Sequence, residues 1–180
     1  MTLAIRPLTQ NDFGKYEIHF KRHRAESGLG EGGHFLPFAP DDADGPGRLA
    51  AEALQRPLTQ CGWQRWFVAF SDDGSAIVGH VNLKGDELKT SLHRCELGIG
   101  IEGPYRGQGL GTRLMETAIE FARNAPSITW LDLRVFAHNI AARRLYRKMG
   151  FVEVGVVLDR FRIEGESIDD ATMTLDVSSP

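Results

Sequence analysis

Ile99-Gly100-Ile101-Glu102-Gly103-Pro104-Tyr105-Arg106-Gly107-Gln108-Gly109-Leu110-Gly111-Thr112-Arg113-Leu114-Met115 carries an apolar, strand-like run into a cluster of glycines and the glycines into a helix. A helix start of this kind presents unpaired backbone N–H groups and the positive end of the helix dipole, which together attract phosphate. The glycines let a ligand come close to the backbone, and Arg106 can add a forked, charged donor. A P-loop would need a lysine after the glycines, and none follows here. A dinucleotide-binding G-x-G-x-x-G turn fits poorly. Counting from Gly107 puts Thr112 in the place of the third glycine, and counting from Gly109 puts Leu114 there.

Upstream of this turn, Leu3 and Ile5 form a short first strand that Pro7 ends, which suits a sheet edge. From Thr9, the apolar positions Phe13, Tyr16, Ile18 and Phe20 suggest a helix. Residues 28–47 are rich in Gly and Pro and read as a long loop, with an apolar island at His34-Phe35-Leu36-Pro37-Phe38 that is expected to pack over a site. Arg48 to Leu58 reads as a second helix. Trp66–Phe70 and Ala76–Leu83 read as a hairpin around Asp73-Gly74, and Arg94–Ile101 as a third antiparallel strand. Downstream the pattern alternates: a helix over about 109–124, a strand 128–136, a helix 140–149 closed by Gly150, and a hairpin 151–163 and 167–177 around Glu164-Gly165-Glu166. The expected fold is α/β (α+β), a mixed and mostly antiparallel sheet of about seven strands with helices on both faces. The length of 180 residues fits one domain, 1–180.

Composition narrows the function classes. With 42% hydrophobic and 25% charged residues the chain should fold alone. A net charge of -3 lacks the broad positive field that nucleic acid binding needs. Cys61 and Cys95 are too far apart for a metal knuckle or a disulfide framework. Neither a leader segment nor an apolar run long enough to span a bilayer is evident, so the expectation is a cytoplasmic protein without a membrane partner. His19 and His23, four apart on the first helix, imitate half a metal site, but no third ligand is evident and no metal is expected. His93 and His138 read as packing or surface residues, and Trp63 and Trp66 as core or pocket wall.

The run Arg106-Gly107-Gln108-Gly109-Leu110-Gly111 resembles the Arg/Gln-x-x-Gly-x-Gly/Ala pyrophosphate motif of the GNAT acetyltransferase superfamily. The strand Cys95 to Ile101 is similar to that family's fourth strand, and Leu133 to Phe151 is similar to its second signature. The closing strands resemble the branch that holds ribosomal-protein N-terminal and small-molecule acetyltransferases. The resemblance implies a GNAT-like fold and direct transfer of an acetyl group from acetyl-CoA to an amine, with no metal. It also implies a cofactor-binding set of Ile99, Ile101, Arg106, Gly107, Gln108, Gly109, Leu110, Gly111, Thr112, Asn139, Ala142 and Arg143. Tyr146 is implied as the general acid for the coenzyme A sulfur, and Asn139 as a ligand of the pantetheine arm. The alternative for Asn139 is a helix N-cap, and for Tyr146 a buried aromatic. Glu96 shares a strand face with Gly98 and Gly100 and is the candidate base; the alternative is a strand glutamate that is solvated or paired with an arginine. The acceptor is expected between the 28–47 loop and the closing hairpin. It is either a small-molecule amine or a protein α-amine, and a non-catalytic acyl-CoA sensor is the rival from another class. The family often dimerises. These motifs predict that calorimetric titration gives binding of acetyl-CoA and desulfo-CoA and none of NADH; no binding of either coenzyme A compound would make the glycine turn purely structural.

Overall fold

The computed structural model describes residues 3–29, 33–38 and 51–178. Seven strands form one sheet. In chain order they are β1 (Ile5–Pro7), β2 (Gln64–Phe70), β3 (Ile77–Gly85), β4 (Arg94–Ile101), β5 (Trp130–Phe136), β6 (Val152–Ile163) and β7 (Glu166–Asp176). Across the sheet the order is β1-β2-β3-β4-β5-β7-β6. Every neighbouring pair is antiparallel except β4 and β5, which run parallel. Among the described residues four α-helices accompany them: α1 (Phe13–Ala25), α2 (Ala51–Gln55), α3 (Leu110–Arg123) and α4 (Ile140–Lys148). This is the expected mixed, mostly antiparallel seven-stranded sheet. Pro7 ends β1 at the sheet edge, where its missing N–H costs no ladder bond. Of the expected 28–47 loop, residues 30–32 and 39–47 lie outside the described residues, as do positions 48–50 of the expected second helix.

The two sheet faces are built differently. On one, α3 buries Leu110, Leu114, Met115, Ala118, Ile119 and Ala122 against Val81, Leu83, Cys95, Leu97, Leu131 and Leu133. This is the main core. It follows from the 3.6-residue spacing in α3 meeting the two-residue spacing in the strands. On the other face, α1 packs Tyr16 against Val68, Phe70 and Ile77.

The expected apolar face of α1 is corrected by the packing. Phe13, Tyr16 and Phe20 pack into the second cluster as expected, but Ile18 is 56% exposed, and His19 and His23 go inward as well. The two histidines tolerate burial because they meet hydrogen-bonding partners there. The α-helix also starts later than Thr9. A 3-10 turn, Gln10–Asp12, comes first. Asp12 accepts from the Thr9 backbone N–H at 2.9 Å and from the Thr9 hydroxyl at 2.6 Å. Arg6 grips the same carboxylate with two bonds of 2.7 Å. That fork holds the Asp12 carboxyl well below its ordinary range.

The feature that shapes the site is where β4 and β5 part. Their pairing runs through Arg94↔Trp130, Cys95↔Leu131 and Glu96↔Asp132 and stops. Beyond it, β4 continues to Ile101 and β5 to Phe136 as a wedge. The apex is clamped: Arg94 donates to Asp132 at 2.7 and 2.5 Å, and Thr174 of β7 shares the same groups at 3.0 and 2.8 Å. Among the described residues no helix is long and apolar enough to cross a membrane.

Leu114 is fully buried in the main core. Leu114→Ala is expected to cost about 2–5 kcal/mol through lost transfer energy and a cavity, read as a lower urea midpoint at unchanged slope.

Candidate active site

The glycine turn sits at the C-terminal end of β4. Gly107 and Gly109 take φ of +72° and +82°, and a Cβ on either would meet nothing within 4 Å. Both glycines are therefore required by backbone conformation, not by crowding. Gly111 differs: a Cβ there would come within 3.0 Å of Leu145 and 3.3 Å of Ile101, so its absence lets α3 lie close to α4 and β4. Among the described residues, the backbone N–H groups from Gly107 to Thr112 have no acceptor; the first N–H to close a helical bond is Arg113, onto Gly109 at 3.2 Å. Six adjacent donors lie at the positive end of α3, a cradle of the kind that attracts anions. Leu110 buries its side chain in the core, so it contributes its backbone alone. Gln108 turns its amide back to the Pro104 carbonyl at 2.7 Å.

Arg106 is placed differently from a phosphate clamp. Its Nε donates to the Ile101 carbonyl at 2.8 Å, and its Nη2 is bound by Glu26 at the end of α1. The guanidinium lies 4.8 Å over the Phe35 ring. Glu26 also takes the Gly103 N–H with both oxygens at 2.9 Å, which ties α1 to the turn. Arg106 therefore braces the turn against α1 and the end of β4.

On the other flank of the wedge, Asn139 caps α4, its Oδ1 accepting from the Ala142 N–H at 3.1 Å. The cap uses the oxygen and leaves the amide NH2 unspent. Arg143 is locked in place by the Ala137 carbonyl and Glu153, each at 2.7 Å. Tyr146 lies one face along from Asn139, 6% exposed, with its ring 6.1 Å from Phe151. Burial pushes its hydroxyl pKa up, so the proton stays on at neutral pH. The hydroxyl has no hydrogen-bond partner among the described residues. Glu96, at the wedge apex, has a 55% exposed side chain and accepts from Arg134 at 3.3 Å. The arginine-paired alternative is thus present in the geometry.

A second set of polar groups lies on the α1 face of β4. His19 Nδ1 is 2.7 Å from Glu102, and His19 Nε2 is 2.9 Å from His80 Nδ1. His23 stacks on His19 with centroids 6.0 Å apart. All four are at least nine-tenths buried. Burial drives the pKa of His80 well below its ordinary value and that of His23 to about 3, so both rings are uncharged. Sequence reading marked His19 and His23 by their spacing but missed His80 and Glu102, because the pairing spans 83 and 61 positions. Among the described residues no group of three or more His, Cys, Asp or Glu is placed to hold a metal ion.

Residues 33–38 cross above this face. Ser27 Oγ accepts from the Phe35 and Leu36 N–H groups at 3.0 and 3.1 Å, and Phe35 lies 4.9 Å from the His23 ring. His138 Nε2 donates to the His34 carbonyl at 2.7 Å, and His34 meets Glu164 of the β6–β7 turn at 3.3 Å. The segment, part of the 28–47 loop, thus joins the end of α1 to the closing hairpin; an acceptor was expected between that loop and the hairpin.

Known proteins share this architecture. A crystal structure of a GNAT-family acetyltransferase from Streptococcus pneumoniae is 30% identical, superimposes with a TM-score of 0.79, and covers 97% of this chain and 99% of its own. An uncharacterized N-acetyltransferase of Bacillus subtilis, YycN, is 27% identical over 161 residues, which are 89% of this chain and 99% of that protein. The N-alpha-acetyltransferase RimI of Mycobacterium tuberculosis is 37% identical over 82 residues, 46% of this chain and about half (48%) of its own length. Residues 38–151, spanning the wedge, the glycine turn and the capped helix, match the acetyltransferase (GNAT) family, and the chain belongs to that family.

Proposed function

We propose that this protein is an N-acetyltransferase that transfers the acetyl group of acetyl-CoA directly to the amine of a small molecule. The observation that carries the reading is the run of unpaired N–H groups from Gly107 to Thr112 beside the β4–β5 wedge. The cradle suits a pyrophosphate, and the unpaired backbone of β4 suits an extended, amide-bearing arm. Asn139 adds its free amide NH2 toward that arm.

Transfer needs three things from the chain: an acceptor nitrogen with a lone pair, stabilisation of the oxyanion, and a proton for the departing sulfur. Tyr146 is assigned the last. Its burial keeps the hydroxyl protonated at neutral pH, so the group is in the form that can donate to the sulfur as the carbon–sulfur bond breaks. The β4 backbone N–H groups left without a strand partner are assigned to the oxyanion. The acceptor approaches from the α1 face, beneath residues 33–38. Support for a small amine over a protein α-amine is that residues 33–38, held by Ser27 on one side and by His138 on the other, cross above the α1 face. Asp170, buried on the same sheet face, opposite Phe136, supplies a carboxyl group for the acceptor side.

Two outcomes test the assignment. Tyr146→Phe is expected to lower turnover by about 10²-fold or more while acetyl-CoA affinity stays nearly unchanged, by thiol-release kinetics and calorimetry; equal turnover would remove the acid role. Gly109→Val, a branched side chain forced to positive φ at the mouth of the cradle, is expected to weaken acetyl-CoA binding by about tenfold or more, equivalent to about 1.4 kcal/mol. Undiminished affinity would move the pyrophosphate elsewhere.

A further inference from the structure

An ammonium acceptor must lose a proton before its nitrogen can attack a thioester, because an alkyl amine of pKa about 10 is almost wholly protonated at pH 7. Two groups on the α1 face of β4 are placed to take that proton. Glu96 is mostly in solvent and already holds Arg134. The other is enclosed and directional.

Glu102 accepts from Arg22 at 2.9–3.0 Å and lies 2.7 Å from His19 Nδ1. A carboxylate can only accept, so His19 carries its proton on Nδ1 and presents a lone pair at Nε2. His80 Nδ1, 2.9 Å away, must then be the donor to it. This leaves the lone pair of His80 on Nε2, which has no partner among the described residues. One carboxylate thereby fixes the tautomers of two rings in series, the logic by which an acid–histidine pair prepares a base.

The ring is also in the right place. His80 stands opposite Gly100 in the β3–β4 ladder and fills the volume a side chain there would need: a Cβ on Gly100 would come 2.4 Å from His80 Cε1 and 2.8 Å from His23 Nε2. Gly100 belongs to the part of β4 that has left β5, the edge assigned above to the thioester arm.

We propose that His80 is the catalytic base that takes the acceptor's proton, with His19 and Glu102 as positioning residues of a buried relay. The proposal rests on the acetyl-transfer reading above. The ammonium first gives one proton to His80 Nε2, from which it passes to solvent; as the freed amine nitrogen forms its bond to the carbonyl carbon, its next N–H proton passes to His80 Nε2, and the His80 Nδ1 proton can shift toward His19, whose own Nδ1 proton is held by Glu102. Collapse breaks the carbon–sulfur bond, Tyr146 protonates the sulfur, and the proton held on the relay returns by solvent to the Tyr146 oxygen. Counted from the ammonium, nitrogen loses two protons, one ending on sulfur and one in solvent.

The titratable groups around His80 all come from α1 and its contacts: Tyr16 edge-on at 5.4 Å, His19, and His23, with Arg106 3.5 Å beyond His23. From β2 it meets Trp66, and from β4 only glycine. Burial keeps the ring neutral across the physiological range. With a neutral base and a protonated amine both present, kcat/KM should be flat from about pH 6.5 toward the amine's own pKa.

The test is the pH profile of thiol release, with an alanyl-terminated peptide, spermidine and a free amino acid as acceptors. His80→Gln is expected to lower kcat/KM by about 10²-fold at pH 7 and to turn the plateau into a rise of about tenfold per pH unit, since only amine already neutral then reacts. Glu102→Gln should give the same slope with a smaller loss. An unchanged plateau in His80→Gln, or the slope appearing in Glu96→Gln instead, would overturn the relay. Acetyl-CoA titration of each variant reports whether it is folded. Independently of any variant or acceptor, nitrogen-15 imidazole spectra of the wild-type protein should show both His19 and His80 protonated on Nδ1 and bare on Nε2. His80 protonated on Nε2 would also overturn it. Turnover of none of the three amines counts against the acetyl-transfer reading, and the tautomers still decide the relay.

Discussion

Two parallel strands that begin as a ladder and then separate must leave backbone groups unpaired along the gap, and an unpaired buried backbone is costly unless something takes the place of the missing strand. This constraint organises the molecule. The Arg94–Asp132–Thr174 clamp fixes where β4 and β5 part. Past the clamp, the fold offers a ligand both the open strand edge and, at its far end, the uncapped start of α3. Gly107, Gly109 and Gly111 serve the same opening, two by their positive φ and one by letting α3 approach α4.

Each face of the sheet has its own task. The α3 face is a conventional apolar core, closed by Leu114, Met115 and Ala118, and it gives the wedge a rigid floor. The α1 face gives up apolar burial for a polar network. Glu102, His19 and His80 are at least nine-tenths buried with ring nitrogens and carboxylate oxygens paired to one another. Such a network holds one geometry and one set of tautomers when satisfied, and it is expensive when one member is lost. Its uncharged state also makes it acid-sensitive. Histidines held neutral in the fold bind protons more readily once unfolded, so this contribution to stability is present above the ordinary histidine pKa of about 6.5 and lost as pH falls below it.

The arginines illustrate how a motif and a structure divide the same residue. Arg106 and Arg143 both stand in stretches that suggest ligand contact, and each is also held by groups of the protein, Arg106 by Glu26 and the Ile101 carbonyl, Arg143 by Glu153 and the Ala137 carbonyl. Their work is to hold the turn and α4 at fixed positions around the wedge. Asn139 is similarly committed through its oxygen to capping α4. The backbone donors of the turn cannot rotate away, and that is the kind of preorganisation that lowers the cost of binding.

The sequence by itself determined the order of elements, the seven-stranded mixed sheet, the glycine turn and the capped last helix, because each is written in local signals: apolar periodicity, positive-φ glycines, an Asn at a helix start. It misread the inner face of α1, since Ile18 looks like a core residue and His19 and His23 do not, and burial of a histidine is decided by a partner that periodicity cannot see. The tertiary structure alone decided that His19 meets Glu102 and His80, that Glu96 meets Arg134, and that β4 leaves β5 after Glu96. Those contacts join residues tens of positions apart in the chain, and a polar side chain's role depends on which distant group the fold brings within 3 Å of it.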